Sequence, residues 1–161
     1  MTGDDPMRFA AALPRQAALA GIDPGTKTLG LAVSDSLRHV ATPLQTIKRT
    51  KFGADAQALA ALLADRDIAG LVIGLPRNMD GTEGPRAQSA RAFARNLLQS
   101  KGFEGLPILL WDERLSTVAA ERALLAADTS RKRRAEVIDH VAAAYILQGA
   151  LDRLRHIGDE P

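Results

Sequence analysis

A change of rhythm along the chain constrains its fold more than any other feature. Three short apolar runs follow one another directly, and after that each such run is separated from the next by a helical stretch. Residues 18–22 and 29–33 are too short for helices and too apolar for surface loops, so they read as buried strands. Asp23-Pro24-Gly25-Thr26 stands between them. Pro there fixes φ and Gly accepts a positive φ, which is the pattern of a type II turn. Two strands with so tight a connection predict a hairpin. Residues 40–47 continue as a third strand, and Pro43, which cannot donate to a ladder, predicts an edge position or irregular pairing.

Strands and helices then alternate. Residues 55–65 place Leu59, Leu62 and Leu63 on one side of a helix, and residues 71–74 form a buried strand. A long Gly/Asn/Asp loop follows to Gly84, and Pro85 occupies the first position of a helix continuing over 86–99. Residues 107–111 are the next strand. Ser116 or Thr117 caps a helix reaching about residue 127, and a last helix runs from about 133 to 155. The order βββαβαβαα predicts an α/β domain whose mixed sheet is antiparallel on one side and parallel on the other. Residues 1–16 show no usable periodicity and read as a flexible leader. Residues 17–155 form the single domain, and 156–161 a tail.

Composition narrows the chemistry. Hydrophobic residues make up 46% of the 161, enough for one core, but aromatics are only 4%. Any nucleic-acid chemistry must therefore rest on charge and metal ions rather than on base-stacking platforms. The absence of cysteine excludes a disulfide scaffold, a thiolate zinc site and a cysteine nucleophile, and is compatible with a reducing cytosol. No apolar run approaches the roughly 18–20 residues of a membrane span. The N-terminus lacks the basic start and apolar stretch of a signal peptide. The expectation is a cytoplasmic protein with no membrane partner. Net charge is only +2, and the one dense basic run is Arg131-Lys132-Arg133-Arg134. That run is open to two readings, a solvated helix face or a phosphate-facing patch.

The informative positions are acids at element ends. Asp23 closes the first strand, Asp112 and Glu113 close the last, and Asp139 lies in the C-terminal helix. Ligands of open α/β sheets gather beyond the carboxyl ends of parallel strands. If the first and last strands are parallel neighbours, Asp23 and one of Asp112 or Glu113 emerge at one rim. Asp139 interrupts an apolar stripe of Ala135, Ala142, Ala143 and Ile146, where a buried carboxylate needs a cation, a hydrogen bond or a proton. Carboxylates converging from distant segments suit an oxygen-liganded Mg²⁺ or Mn²⁺ rather than zinc. Such an ion can activate water and steady the leaving oxygen of a phosphodiester. Each acid also has a plainer reading: Asp23 as the first residue of its turn, Asp112 or Glu113 as a surface partner of Arg114, Asp139 as a helix-surface residue. His39, His140 and His156 share no ligand spacing, and neither a G-x-S-x-G elbow nor a P-loop nor a GxGxxG is present.

Four segments resemble one known family, the YqgF (RuvX) family, whose members are named as pre-16S rRNA nucleases or Holliday-junction-resolvase-like proteins. The first is Gly21-Ile22-Asp23-Pro24-Gly25-Thr26-Lys27 with Gly30-Leu31-Ala32-Val33-Ser34-Asp35. The second is Gly74-Leu75-Pro76 with Asn78-Met79-Asp80-Gly81-Thr82-Glu83-Gly84 and Arg86-Ala87-Gln88. The third is Asp112-Glu113-Arg114-Leu115-Ser116-Thr117 with Ala120-Glu121-Arg122. The fourth is Lys132-Arg133, Ile138-Asp139, Ala142-Ala143 and Ile146-Leu147-Gln148. Thr28 stands where many members carry arginine.

The resemblance implies a ribonuclease-H-like three-layer α/β fold, with a central mixed five-stranded sheet flanked by helices. It implies Asp23, Glu113 and Asp139 as catalytic and metal-holding acids for Mg²⁺ or Mn²⁺, with Asp112 as the alternative to Glu113. The implied activity is a metal-dependent endonuclease that matures the 5′ end of precursor 16S rRNA. A Holliday-junction nuclease acting on branched DNA and a non-catalytic nucleic-acid-binding factor are the alternatives, and either a monomer or a homodimer is compatible. Candidate contacts to the nucleic acid are Lys27, Arg77, Asn78, Arg114, Arg131, Lys132, Arg133 and Arg134. The loop 76–84 is expected to offer exposed helix-start amides to a phosphate and to be mobile without substrate.

Overall fold

The structure, a computed structural model, describes residues 2–115 and 131–158, with side chains in the last helix described from His140 onward. In chain order the elements are β1 (Thr2–Gly3), α1 (Pro6–Ala12), β2 (Ala18–Pro24), β3 (Thr28–Ser34), β4 (Ala41–Lys48) and α2 (Phe52–Leu63). They continue with β5 (Ile68–Leu75), α3 (Pro85–Leu98), β6 (Ile108–Asp112), a 3₁₀ turn (Glu113–Leu115) and α4 (Arg131–Gly158). The six strands form one sheet in the order β1-β6-β5-β2-β3-β4. β1, β6, β5 and β2 are parallel, while β3 and β4 are antiparallel additions. β4 is one of the two edge strands, and its ladder shifts register beside Pro43.

Alternation along the strands splits the core into two layers. Ala20, Ile22, Leu29, Leu31, Leu71, Ile73 and Leu110 face α2 and α3, where they meet Leu59, Phe93 and Leu97. Leu19, Ala32, Val72, Leu109 and Trp111 face α1 and α4. Helix α4 lies directly on the sheet because Gly21 has no side chain. A Cβ there would stand 2.8 Å from Leu147 Cβ and 3.0 Å from the Ala143 carbonyl oxygen. Alanines 142, 143 and 150 are buried along the same helix face.

Four expectations change. Residues 2–12 are not a loose leader: β1 pairs with β6, supplying a sixth strand, and α1 docks beside α4 with Phe9 fully buried. The signal was present in Asp5-Pro6, because the Asp5 carboxylate accepts the Met7 N–H (3.0 Å) and Pro6 takes the first helical position. The hairpin does not use a type II turn, because Gly25 does not adopt a positive φ. Instead β2 runs through Pro24, the Gly25 N–H donates to the Thr28 carbonyl (2.9 Å), and a Cβ at Gly25 would lie 2.9 Å from that oxygen. Helix α2 begins at Phe52, three residues early, and α4 extends through Gly158 into the expected tail. Finally, β2 and β6 are not neighbours, since β5 lies between them. The helix expected from Ser116 or Thr117 lies outside the described residues.

If α1 is part of the core, Phe9→Ala should cost about 3 kcal/mol or more, as for other buried phenylalanines. Urea unfolding of the intact chain checks this, and a loss below about 0.5 kcal/mol would mean that the segment contributes no packing.

Candidate active site at the carboxyl rim of the sheet

β2, β5 and β6 run parallel, so their carboxyl ends share one rim. Asp23 sits there at 3% exposure, one residue before the end of β2. The ladders set a row across the sheet. Asp23 is opposite Gly30 on β3, Gly30 is opposite Thr46 on β4, and Gly74 is opposite Trp111 on β6. Ile22 is opposite Ile73, so Asp23 and Gly74 are adjacent on neighbouring strands. Because Ile22, Leu29 and Ile73 point into the α2/α3 core, this row points toward α4.

Asp23 is therefore flanked by two glycines, and the space over Gly74 is filled from elsewhere. A Cβ at Gly74 would lie 2.6 Å from Glu113 Oε1 and 2.7 Å from Ile146 Cδ1. Glu113 follows β6, two strands away from β2, yet its carboxylate reaches back across β5 to about one strand spacing, roughly 4.8 Å, from the Asp23 position. An isolated glycine inside an apolar strand is the sequence signal for such a close approach.

Asp112 has different surroundings. Its Oδ1 accepts the Arg114 N–H (3.0 Å), capping the 3₁₀ turn that carries Glu113, and its oxygens accept Arg114 Nε (3.1 Å) and Nη2 (2.7 Å). Arg77 Nη1 stands 3.6 Å away. The Arg114 hydrogen bonds, with the Arg77 charge adding, hold the Asp112 carboxyl below its ordinary range against the opposing effect of burial.

The loop 76–84 is bound to this rim by its own side chains. The Asn78 N–H donates to the Thr82 carbonyl (2.9 Å) and its amide to Thr82 Oγ1 (3.0 Å), while the Asp80 carboxylate accepts the Thr82 N–H (3.0 Å) and hydroxyl (2.6 Å). Arg77 also pairs with Asp4 (3.2 Å) and Glu83 (3.5 Å), and Glu83 accepts two bonds from Arg91 (2.6 and 2.7 Å). The Arg91 bonds hold Glu83, and the Thr82 bonds hold Asp80, below the ordinary carboxylate range. In place of the expected open donors, Arg77, Asn78 and Arg114 all have protein partners. Glu83–Arg91 is an ion pair that the periodicity of α3 alone does not reveal.

Lys27 lies exposed on the hairpin at the same rim. Residue 139 belongs to α4 one turn before Ala143, and His140 beside it exchanges a hydrogen bond with Thr46 Oγ1 through Nδ1 (2.9 Å), tying that turn to the end of the row. The side chains of Asp139, Arg131, Lys132, Arg133 and Arg134 lie outside the described residues. Among the described residues no three His, Cys, Asp or Glu side chains form a ligand group. Among them also, no helix is long and apolar enough to cross a membrane.

The architecture is the ribonuclease-H-like fold. It is similar to RuvC of Thermus thermophilus, with a TM-score of 0.53 at 16% identity, covering 88% of this chain and 96% of that one. It is also similar to T. thermophilus RuvC in complex with a Holliday junction substrate, with a TM-score of 0.51 at 17% identity over 87% and 96% of the two chains. The chain belongs to the RuvX family, described as Holliday junction resolvase, which matches residues 17–153. A relative in Paracoccus denitrificans is 72% identical over 93% of both chains, and one in Ruegeria pomeroyi is 70% identical over 92% of this chain and 95% of its own. Both carry the name "Putative pre-16S rRNA nuclease".

The Asp112 network carries a pH dependence of defined sign. A carboxyl whose folded-state pKa is lowered contributes stability that is fully present above its unfolded value, near 3.9, and is lost as pH falls through the lowered value. Asp112→Asn should therefore flatten the fall in stability below about pH 4 and leave the profile above pH 5 parallel to that of the parent. Denaturant unfolding at a series of pH values measures both limbs.

Proposed function

We propose that the chain is an endonuclease that hydrolyses phosphodiester bonds, with Asp23, Glu113 and Asp139 as its acidic centre. The observation that carries this reading is the Glu113 carboxylate lying over Gly74 beside the buried Asp23. Two neighbouring carboxylates disfavour each other's ionised form, and a shared cation would favour both. The donors are oxygens only, which fits Mg²⁺ or Mn²⁺, and Asp139 is assigned to complete the set from α4. A divalent ion there supplies Lewis-acid stabilisation of the phosphoryl and leaving oxygens.

The residues of the chain do the rest. β2 holds Asp23 rigidly at the rim, and the capped 3₁₀ turn delivers Glu113, so Glu113 rather than Asp112 is assigned to the centre. Asp112 is assigned to orienting that turn through Arg114 and Arg77. Lys27 and the run 131–134 are assigned to the substrate backbone. Arg77, Asn78 and Arg114 are assigned to the shape of the rim.

The proposed substrate is precursor 16S rRNA at its 5′ end, in the cytoplasm, following the names of the 70–72% identical relatives. A second reading, cleavage of branched DNA, is favoured by the family's description and by the RuvC–junction likeness. Incubating the protein with a precursor rRNA fragment and a four-way DNA junction, each with Mg²⁺, Mn²⁺ or a chelator, separates the two. Cleavage of neither, with retained binding, would make the protein a binding factor.

Asp23→Asn should abolish cleavage and leave metal-free thermal stability unchanged or slightly raised, because it removes repulsion. Full activity in this variant, measured by product formation on labelled substrate, would remove Asp23 from the mechanism. Gly74→Ala should lower stability by only about 1–2 kcal/mol, because the colliding atoms are the ends of the Glu113 and Ile146 side chains. Its cleavage rate should fall more than tenfold, because the new methyl occupies the place of the Glu113 carboxylate. Equal activity in Gly74→Ala and the parent would show that this placement is not used.

A further inference from the structure

The two flanks of the rim differ in electrostatic state. On the β6 side, Arg77, Arg91 and Arg114 are matched by Asp4, Glu83 and Asp112 at 2.6–3.6 Å. A phosphate approaching there meets guanidinium charge already offset by a neighbouring carboxylate. On the β4 side, Lys27, Lys48 and Lys51 are exposed, and no carboxylate among the described residues forms an ion pair with them.

These lysines belong to one rigid unit. Lys48 is opposite Thr28 in the ladder, the Arg49 N–H donates to the Lys27 carbonyl (2.9 Å), and Arg49 Nη1 donates to the Gly25 carbonyl (2.6 Å). The Arg49 guanidinium also stacks 5.5 Å from the centre of the Phe93 ring, so this arginine staples the 48–51 turn to the hairpin. The acid nearest in sequence, Asp55, is buried and accepts the Thr50 N–H (3.0 Å) and hydroxyl (3.2 Å), so its carboxylate is held inside the turn.

Lys48 also lies on the correct face. Leu29 and Ile47 pack into the α2/α3 core, so their ladder neighbours Thr28 and Lys48 stand on the opposite face, the one that carries Asp23. Lys48 is two strands across and two residues beyond the Asp23–Gly30–Thr46 row, roughly 12 Å from Asp23. That is about the length of three to four nucleotides of one strand.

We propose that the sugar-phosphate backbone of the substrate leaves the acidic centre over β3 and β4 and is held by Lys27, Lys48 and Lys51, with the arginine-rich flank of β6 taking no part in its affinity. This rests on the reading of the chain as a nuclease, and adds Lys48 and Lys51 to its substrate contacts. The track reads charge and not sequence, because lysines on a sheet edge offer point charges to phosphates and no paired donors to bases.

The test compares Lys48→Gln/Lys51→Gln with Lys101→Gln, an exposed lysine at the far end of the sheet. Binding and cleavage of a labelled precursor rRNA fragment and of a four-way DNA junction are followed across a salt series in the full-length protein. The double variant should raise Kd and KM at least tenfold near 150 mM salt, keep kcat within twofold, and flatten the slope of log affinity against log salt by about 1.5–2. Thermal unfolding should match the parent, because both side chains are exposed. Kd, KM and slope indistinguishable from Lys101→Gln would overturn the track, as would a fall in kcat at unchanged KM. A parent protein that cleaves while the lysine variant behaves as the control leaves the nuclease reading standing and the track refuted. A parent that binds in a lysine-dependent way and cleaves nothing supports the track and refutes the nuclease. Failure to bind either nucleic acid refutes both.

Discussion

The closeness of helix α4 to the sheet is the condition on which the rest of the structure depends. At Gly21 the helix backbone and the Leu147 Cβ occupy the place where a side chain would be, and at Gly74 the same place is taken by Ile146 and the Glu113 carboxylate. Glycine is the only residue that leaves this room. The result is an apolar seam under α4, walled by Val72, Leu109, Ala143 and Leu147, that reaches the rim two residues beyond Gly21 on β2 and two beyond Val72 on β5, where Asp23 and Gly74 stand. A carboxylate buried at such a position sits in a low-dielectric surrounding, where an opposite charge is worth more than in water.

The charges around that position are sorted by element. The ends of β2 and β6 place Asp23 and Glu113 at the same rim. The loop 76–84 and the β6 exit are laced by arginine–carboxylate pairs that fix shape and cancel charge. Exposed pairs of this kind contribute little stability singly, so their main effect is geometric: they hold the capped turn from which Glu113 projects. The hairpin and the 48–51 turn carry cations without acid partners among the described residues. In the proposed reading, an anionic polymer approaching this rim would meet an attractive side, a neutral side and an acidic centre between them, which would give it a direction as well as an affinity.

Membership of the RuvX family and the likeness to RuvC agree with this arrangement at the level of fold, and the 70–72% identical relatives extend across nearly the whole chain. Fold alone does not choose between RNA and branched DNA. The proposed lysine track would favour neither, so on that reading discrimination between them would come from the shape of the substrate at the rim.

The sequence by itself determined the hairpin, the edge character of the strand holding Pro43, the later strand–helix alternation and the candidacy of the acids, because periodicity, proline and acids at strand ends are local signals. It left α1 unread, since one buried phenylalanine in a seven-residue helix makes no periodic pattern, although Asp5-Pro6 marked its start. Spacing alone also left Asp112 and Glu113 undistinguished, although the family resemblance implied Glu113, because adjacent residues differ in surroundings only once the chain turns. Tertiary structure decided that β5 lies between the acid-bearing strands, that Gly74 lets Glu113 reach across it, and that Arg77 and Arg114 are paired while Lys48 and Lys51 are open to solvent. These are contacts between residues tens of positions apart, and local spacing carries no information about which of them the folded chain brings together.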